Sequence, residues 1–198
     1  MTMRYPVPDG RITARFSDPR PLSVSPDKRD HVHGAVDIGA PAGTPVLAPE
    51  AGKLYFYRAV RPEGAGLWPD AAPSLEARPF PFVNYFYDTY GTIAVLHGAS
   101  TGFVHVMAHF YFRSIFEREI GRWKYVEQKS EGRWVSELMH TFDSPRWVEA
   151  GGIIGRVGSA GFSTGPHLHW ELHKAIGQFT PYADRPDPET FFDKAVLQ

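Results

Sequence analysis

Within His167-Leu168-His169-Trp170-Glu171-Leu172, polar and apolar residues alternate. An extended strand sends alternate side chains to opposite faces, so His167, His169 and Glu171 share one face while Leu168, Trp170 and Leu172 share the other. Two imidazoles at adjacent same-side positions can converge on one small site, as a metal-binding or catalytic pair. The same spacing also suits paired surface histidines. Glu171, on the same face, can orient a ligand imidazole, act as a base or lie at the surface. The turn Gly161-Phe162-Ser163-Thr164-Gly165-Pro166 sets where this strand begins, and Ser163 reads as a residue that shapes it.

A second feature is His33-Gly34-Ala35-Val36-Asp37. Imidazole and carboxylate are both zinc ligands, but four residues of straight strand would separate their Cα atoms by about 13 Å. A shared ion therefore requires a bend, and Gly34 is the residue best able to allow one. The plain alternative is a loop histidine and a turn aspartate. His109 closes the run Val106-Met107-Ala108-His109-Phe110, where it is either a site residue or a partly buried histidine bonded to backbone. His97 and His105 lie in the same hairpin and carry the same two readings. His31, His140 and His173 have no partner pattern and read as surface residues or as supports behind a ligand.

Composition narrows the chemistry. The 198 residues include no cysteine, which removes disulfides, thiolate zinc, iron–sulfur clusters and a cysteine nucleophile. Any metal must be held by His, Asp or Glu. No His-Glu-x-x-His helix is present. With 21 Lys+Arg against 22 Asp+Glu, bulk electrostatic binding of nucleic acid or anionic membrane is not expected. No apolar run reaches the roughly 18 residues of a membrane span. The opening MTMRYPVPDGRITARF lacks the apolar core of a secretory leader.

The elements that must position these residues are short. Nineteen Gly, 18 Pro and a 14% aromatic content suit strands and turns, so the chain reads as mainly β. Strands are expected near Arg11–Phe16, Val36–Ile38, Pro45–Ala48 and Lys53–Tyr57. Residues 91–110 read as a hairpin turning at Gly98-Ala99-Ser100, and residues 148–173 as Gly-punctuated strands. Residues 58–82 read as a long loop. Weak helical periodicity through Ile115, Phe116, Ile120 and Trp123 suggests a helix plus an extended arm over 111–147. The Pro-rich tail closes on a short helix-like piece. One domain spanning 1–198 is expected.

Taken jointly, His33-x-x-x-Asp37, His109 after a hairpin, and His167-x-His169 behind Gly-x-Ser-Thr-Gly-Pro resemble the M23 (lysostaphin/LytM-type) zinc metallopeptidases. Asp37-Ile38-Gly39-Ala40-Pro41-Ala42-Gly43-Thr44-Pro45-Val46-Leu47-Ala48 with Gly52, Tyr90-Gly91-Thr92 to His97-Gly98, Val148 to Gly158, and Asp187-Pro188-Glu189 extend the likeness over roughly residues 10–57, 88–110 and 147–192. The resemblance implies an antiparallel β-sheet or sandwich core with a loop-lined groove. It implies one Zn2+ per chain on His33, Asp37 and His169, with His109 and His167 as the catalytic pair. The implied activity is endopeptidase cleavage of peptidoglycan stem or cross-bridge peptides, on the wall outside the cytoplasm or delivered by phage. Two His and one Asp would leave a fourth zinc position open, the catalytic type of site.

Two departures stand out. Ala35 occupies a position that is usually Gly in the family. Segments 58–87 and 111–146 exceed a minimal domain and are expected to wall or cover the groove. A catalytically silent relative that binds wall or a partner protein is the alternative reading, although none of the five residues is replaced.

Overall fold

The computed structural model describes residues 2–20, 31–60, 90, 92–110, 124–130, 134–140, 146–160, 163–174 and 184–192. Thirteen strands lie within them: β1 (Arg11–Ala14), β2 (Pro19–Arg20), β3 (His31–Val32), β4 (Val36–Gly39), β5 (Pro45–Leu47), β6 (Gly52–Val60), β7 (Thr92–Gly98), β8 (Val104–Ala108), β9 (Lys124–Ser130), β10 (Trp134–His140), β11 (Arg146–Val148), β12 (Ile153–Arg156) and β13 (His167–His173). Eight of them form a continuous antiparallel path, β1-β4-β13-β8-β7-β6-β10-β9. β11 pairs with the first residues of β6. The fold is mainly β, as expected.

β13 sits between β4 and β8. Its register sets His169 opposite Asp37 on β4 and opposite Ala108 on β8. Alternation then sorts its side chains into two environments. Leu168, Trp170 and Leu172 are all but fully buried in the main core. That core is closed from the far side by Val46 of β5, Ile154 of β12 and the N-terminal residues Met3, Tyr5 and Val7. β5 and β12 pair as a separate two-stranded sheet, which gives the sandwich its second layer. The opposite face of the large sheet carries His169, Glu171 and His173, above a smaller apolar cluster that includes Tyr90, Val95, Val106 and Ala108.

Most expected strands appear near their expected limits. β6 extends beyond Tyr57 to Val60 because β10 supplies ladder partners for residues 57–60. Within 111–146, the described residues form the β9–β10 hairpin, the extended arm of the expectation. The helical pattern over Ile115–Trp123 lies outside the described residues, as does most of 58–87. The tail forms a 3-10 turn at Pro188–Thr190, where the Asp187 carboxylate accepts from the Glu189 N–H. Among the described residues no helix is long and apolar enough to cross a membrane.

A buried polar knot ties the hairpin to this frame. Glu50 accepts from the N–H groups of Ser100 and Thr101 at 2.9 and 3.1 Å, from the Thr101 hydroxyl at 2.5 Å, and from His105 Nε2 at 2.8 Å. Trp170 Nε1–H donates to His105 Nδ1 at 3.2 Å. Gly98 is required beside it, because a Cβ there would lie 2.2 Å from Glu50 Oε1. His105 is fully buried, and its place in this knot is structural.

Candidate metal centre

His33, Asp37 and His169 come together as donors. His33 Nε2 lies 3.2 Å from Asp37 Oδ1 and 3.4 Å from His169 Nδ1. His169 Nδ1 lies 2.8 Å from Asp37 Oδ1. Ligand atoms about 2.0–2.1 Å from one tetrahedral zinc would stand about 3.3 Å apart, so the triangle is close to the size zinc requires. All three residues are buried. The donor set, two imidazole nitrogens and one carboxylate oxygen, suits zinc and leaves room for a fourth ligand.

Each donor atom is selected by what holds the rest of its side chain. Arg15 O can only accept, so His33 Nδ1 donates to it, at 3.1 Å, and Nε2 faces the triangle. Asp37 Oδ2 is taken by the Arg20 guanidinium at 2.7 Å, which leaves Oδ1 inward. His169 Nε2 bonds Glu171 Oε1 at 3.0 Å, so Nδ1 faces the triangle. Metal-ligating histidines characteristically donate their other ring N–H to such an acceptor.

The expected bend between His33 and Asp37 is present, centred on Ala35 beside Gly34, and Ala35 is fully buried. Before the bend, the His33 backbone is zipped to the preceding segment: Ser17 N–H donates to His33 O at 2.7 Å, and His33 N–H to Asp18 O at 2.8 Å. Ser17, with φ 66°, makes the tight turn there.

His109 and His167 lie beside the triangle. Their ring centroids are 4.6 Å apart, and His167 Nε2 is 3.8 Å from Asp37 Oδ1. His109 Nδ1 donates to Ala160 O at 2.6 Å, and His167 Nδ1 to Gly165 O at 2.8 Å. Both rings are thereby fixed with Nε2 as the available nitrogen. Strict alternation would send His109 to the face opposite Ala108. Its φ of 65°, a left-handed value rare for a non-glycine residue, breaks that alternation and returns the ring to the site. Ser163 stays in the turn, its hydroxyl donating to Gly165 O at 2.7 Å.

The electrostatics follow from burial and pairing. Burial opposes ionisation of Asp37, but hydrogen bonds from His169 and His33 reverse this and hold its carboxyl well below the usual range. Burial lowers His33, and Asp37 only partly offsets it. For His169, burial is outweighed by hydrogen bonds to Asp37 and Glu171, which bring it up to about 9. Burial lowers His109, and the neighbouring His169 and His167 push it further, to about 3, so its imidazole is neutral at ordinary pH.

Several contributors carry no motif. Arg20 reaches Asp37 from the β2–β3 pair. Tyr90 donates its hydroxyl to Glu171. Arg185 reaches Glu171 from the tail at 2.8 Å. His173, for which a surface place or a supporting one was expected, is fully buried, with Nε2 2.8 Å from Glu171 Oε2. Its two-residue spacing from Glu171 was the available signal. His97 packs its ring on Tyr55, centroids 4.7 Å apart, away from the triangle. The side chains of His31 and His140 fall outside the described residues.

The model of peptidase family M23 matches residues 116–181, about a third of the chain, including His167, His169 and Glu171. No curated protein sequence matches. Among solved structures, LytU is 20% identical with a TM-score of 0.51, covering 92% of this chain and 83% of that one. The catalytic domain of the antimicrobial peptidase lysostaphin from Staphylococcus simulans is 20% identical with a TM-score of 0.50, covering 93% of each chain. A peptidase M23 protein from Pseudomonas aeruginosa is 21% identical with a TM-score of 0.48, covering 96% of this chain. The chain spans about half of that protein, 49% of its length. At these identities the likeness to LytU and to the lysostaphin domain is one of fold. The family-model match itself runs through the strand that carries His167 and His169.

Proposed function

We propose that the chain is a zinc-dependent endopeptidase that cleaves peptide bonds in the stem or cross-bridge peptides of bacterial peptidoglycan. The observation that carries this reading is the convergence of three zinc-compatible donor atoms, mutually 2.8–3.4 Å apart, with two imidazoles whose Nε2 atoms remain available beside them. His33, Asp37 and His169 hold one Zn2+. The described antimicrobial character of the lysostaphin peptidase supports a substrate in the bacterial wall. In this reading residues 1–198 act as one catalytic domain.

When bound, zinc supplies Lewis-acid polarisation of a peptide carbonyl and acidifies a water molecule. The chain supplies the proton handling. His109 and His167 are each anchored through Nδ1–H, so either Nε2 can accept the proton that the attacking water loses. The resulting imidazolium keeps its anchor and becomes a donor, which steadies the oxyanion and returns the proton to the leaving amine. The carbonyl anchors fix the rings so that this exchange needs little reorganisation.

Loss of turbidity of purified cell walls tests the proposal, with zinc-loaded protein, chelated protein and chelated protein resupplied with zinc. Clearing that disappears with chelator and returns with zinc is expected. Zinc-loaded protein that releases no peptide amine from any wall type refutes it.

A further inference from the structure

The motif residues leave Glu171 and Arg185 without a task, yet both side chains are almost wholly buried behind the metal site. Glu171 gathers four donors. Its Oε1 bonds His169 Nε2 at 3.0 Å, Arg185 at 2.8 Å and the Tyr90 hydroxyl, while Oε2 bonds His173 Nε2 at 2.8 Å. Arg185 also reaches Gly34 O, at 3.4 Å. Gly34 directly follows His33. One guanidinium from the tail thus links the segment carrying the first candidate ligand to the carboxylate behind the third.

We infer that Glu171 and Arg185 are positioning residues for the metal centre, which select the metal-facing nitrogen of His169 and lock the His33 segment to β13. The inference rests on the proposed zinc site. An imidazole on a strand can present either nitrogen, and an unconstrained one samples both tautomers. Glu171 occupies the space next to Nε2 and, as a carboxylate, only accepts there. The proton is therefore kept on Nε2, and Nδ1 is left to face Asp37 Oδ1 and His33 Nε2. Arg185 balances the carboxylate's charge and holds it in place as an acceptor. Its Nη1 serves both acceptors, which lie on different segments. The tail segment 184–192 becomes part of the metal site although none of its residues belongs to the donor triangle.

The test compares the full chain with E171Q and R185K. Zinc affinity is read by competition with a chromophoric chelator, the unfolding midpoint is read on the metal-free proteins, and the protonated nitrogen of His169 is read by 15N NMR of the zinc-loaded parent. The expected spectrum has Nε2 protonated and Nδ1 metallated. E171Q is expected to weaken zinc binding by about 10–100-fold, the range for partners behind metal ligands, and R185K by a smaller factor. Both losses should exceed what the shift in metal-free midpoint accounts for. Metallation of His169 through Nε2, or zinc affinity of E171Q within twofold of the parent, overturns the positioning role while leaving the zinc site standing. A parent chain that binds no zinc overturns the zinc site and, with it, this role.

Discussion

Asp37 and His169 are direct cross-strand neighbours, paired in register between β4 and β13, with Oδ1 and Nδ1 2.8 Å apart. A neighbour pair of this kind is set by the ladder, and only His33 must be delivered from outside it. The three donors therefore differ in how they should respond to change.

Replacement of His169 or His33 by Ala removes one of three donors from a buried triangle. Each variant is expected to lose zinc by more than 100-fold in affinity, read by elemental analysis after dialysis against a weak chelator. H33A should lose less fold stability than H169A, because His33 sits in a short segment beside the sheet and His169 at its centre.

His109 contributes no donor to the triangle. H109A is expected to retain one zinc per chain and to lose turnover by about 10²–10⁴, the usual weight of a general acid–base group. Its left-handed φ of 65° adds a stability signature. H109G should be as inactive as H109A but more stable by about 1 kcal/mol, since glycine carries no Cβ penalty in that conformation. Thermal unfolding of the two variants measures the difference.

The Glu50 knot predicts an acid-sensitive hairpin. Burial opposes the Glu50 charge, but hydrogen bonds from His105, Thr101 and the Ser100 N–H bring its carboxyl down to about 2 from an ordinary value of 4.5. The folded value is the lower one, so unfolding takes up a proton below pH 4.5. The stabilisation is complete above that pH and is lost as pH falls from 4.5 towards 2. Urea unfolding across this window should show a steep loss in the parent. E50Q should be less stable at pH 7 and flatter across the window.

Trp170 lies on the opposite face of β13 from the donors. W170F removes the Nε1–H that satisfies His105 Nδ1 and is expected to cost about 1–3 kcal/mol, the range for a buried acceptor left without its partner. Zinc affinity should remain within a few-fold of the parent, because the aromatic packing under β13 is largely kept. Chemical denaturation and chelator competition on the same samples separate the two effects.

Much of this arrangement is legible in the amino-acid sequence because period-two alternation is a local property. The β13 pattern alone separates Leu168, Trp170 and Leu172 from His169 and Glu171, and the hairpin ending at His109 follows from its apolar runs and turn residues. The remainder depends on residues far apart in the chain. The placing of His33 depends on its backbone pairing with Ser17 and Asp18. The return of His109 to the site is a single backbone dihedral that no residue type announces. Arg20, Tyr90 and Arg185 are ordinary residues in loops or at strand ends, and their work is visible only once β4, β8 and the tail are assembled around β13. The β9–β10 pairing likewise depends on an edge of β6 that the local pattern does not reveal.

The two-sided character of β13 has a consequence for assembly. A slip of one residue against β4 or β8 would drive His169 and Glu171 into the apolar layer and lift Leu168 and Trp170 out of it. The energetic cost of that error falls on the core, not on the donors. Hydrophobic packing thus acts as the proofreader of the site's geometry, and a chain that has buried Trp170 correctly has already aligned His169 with Asp37 before any ion arrives.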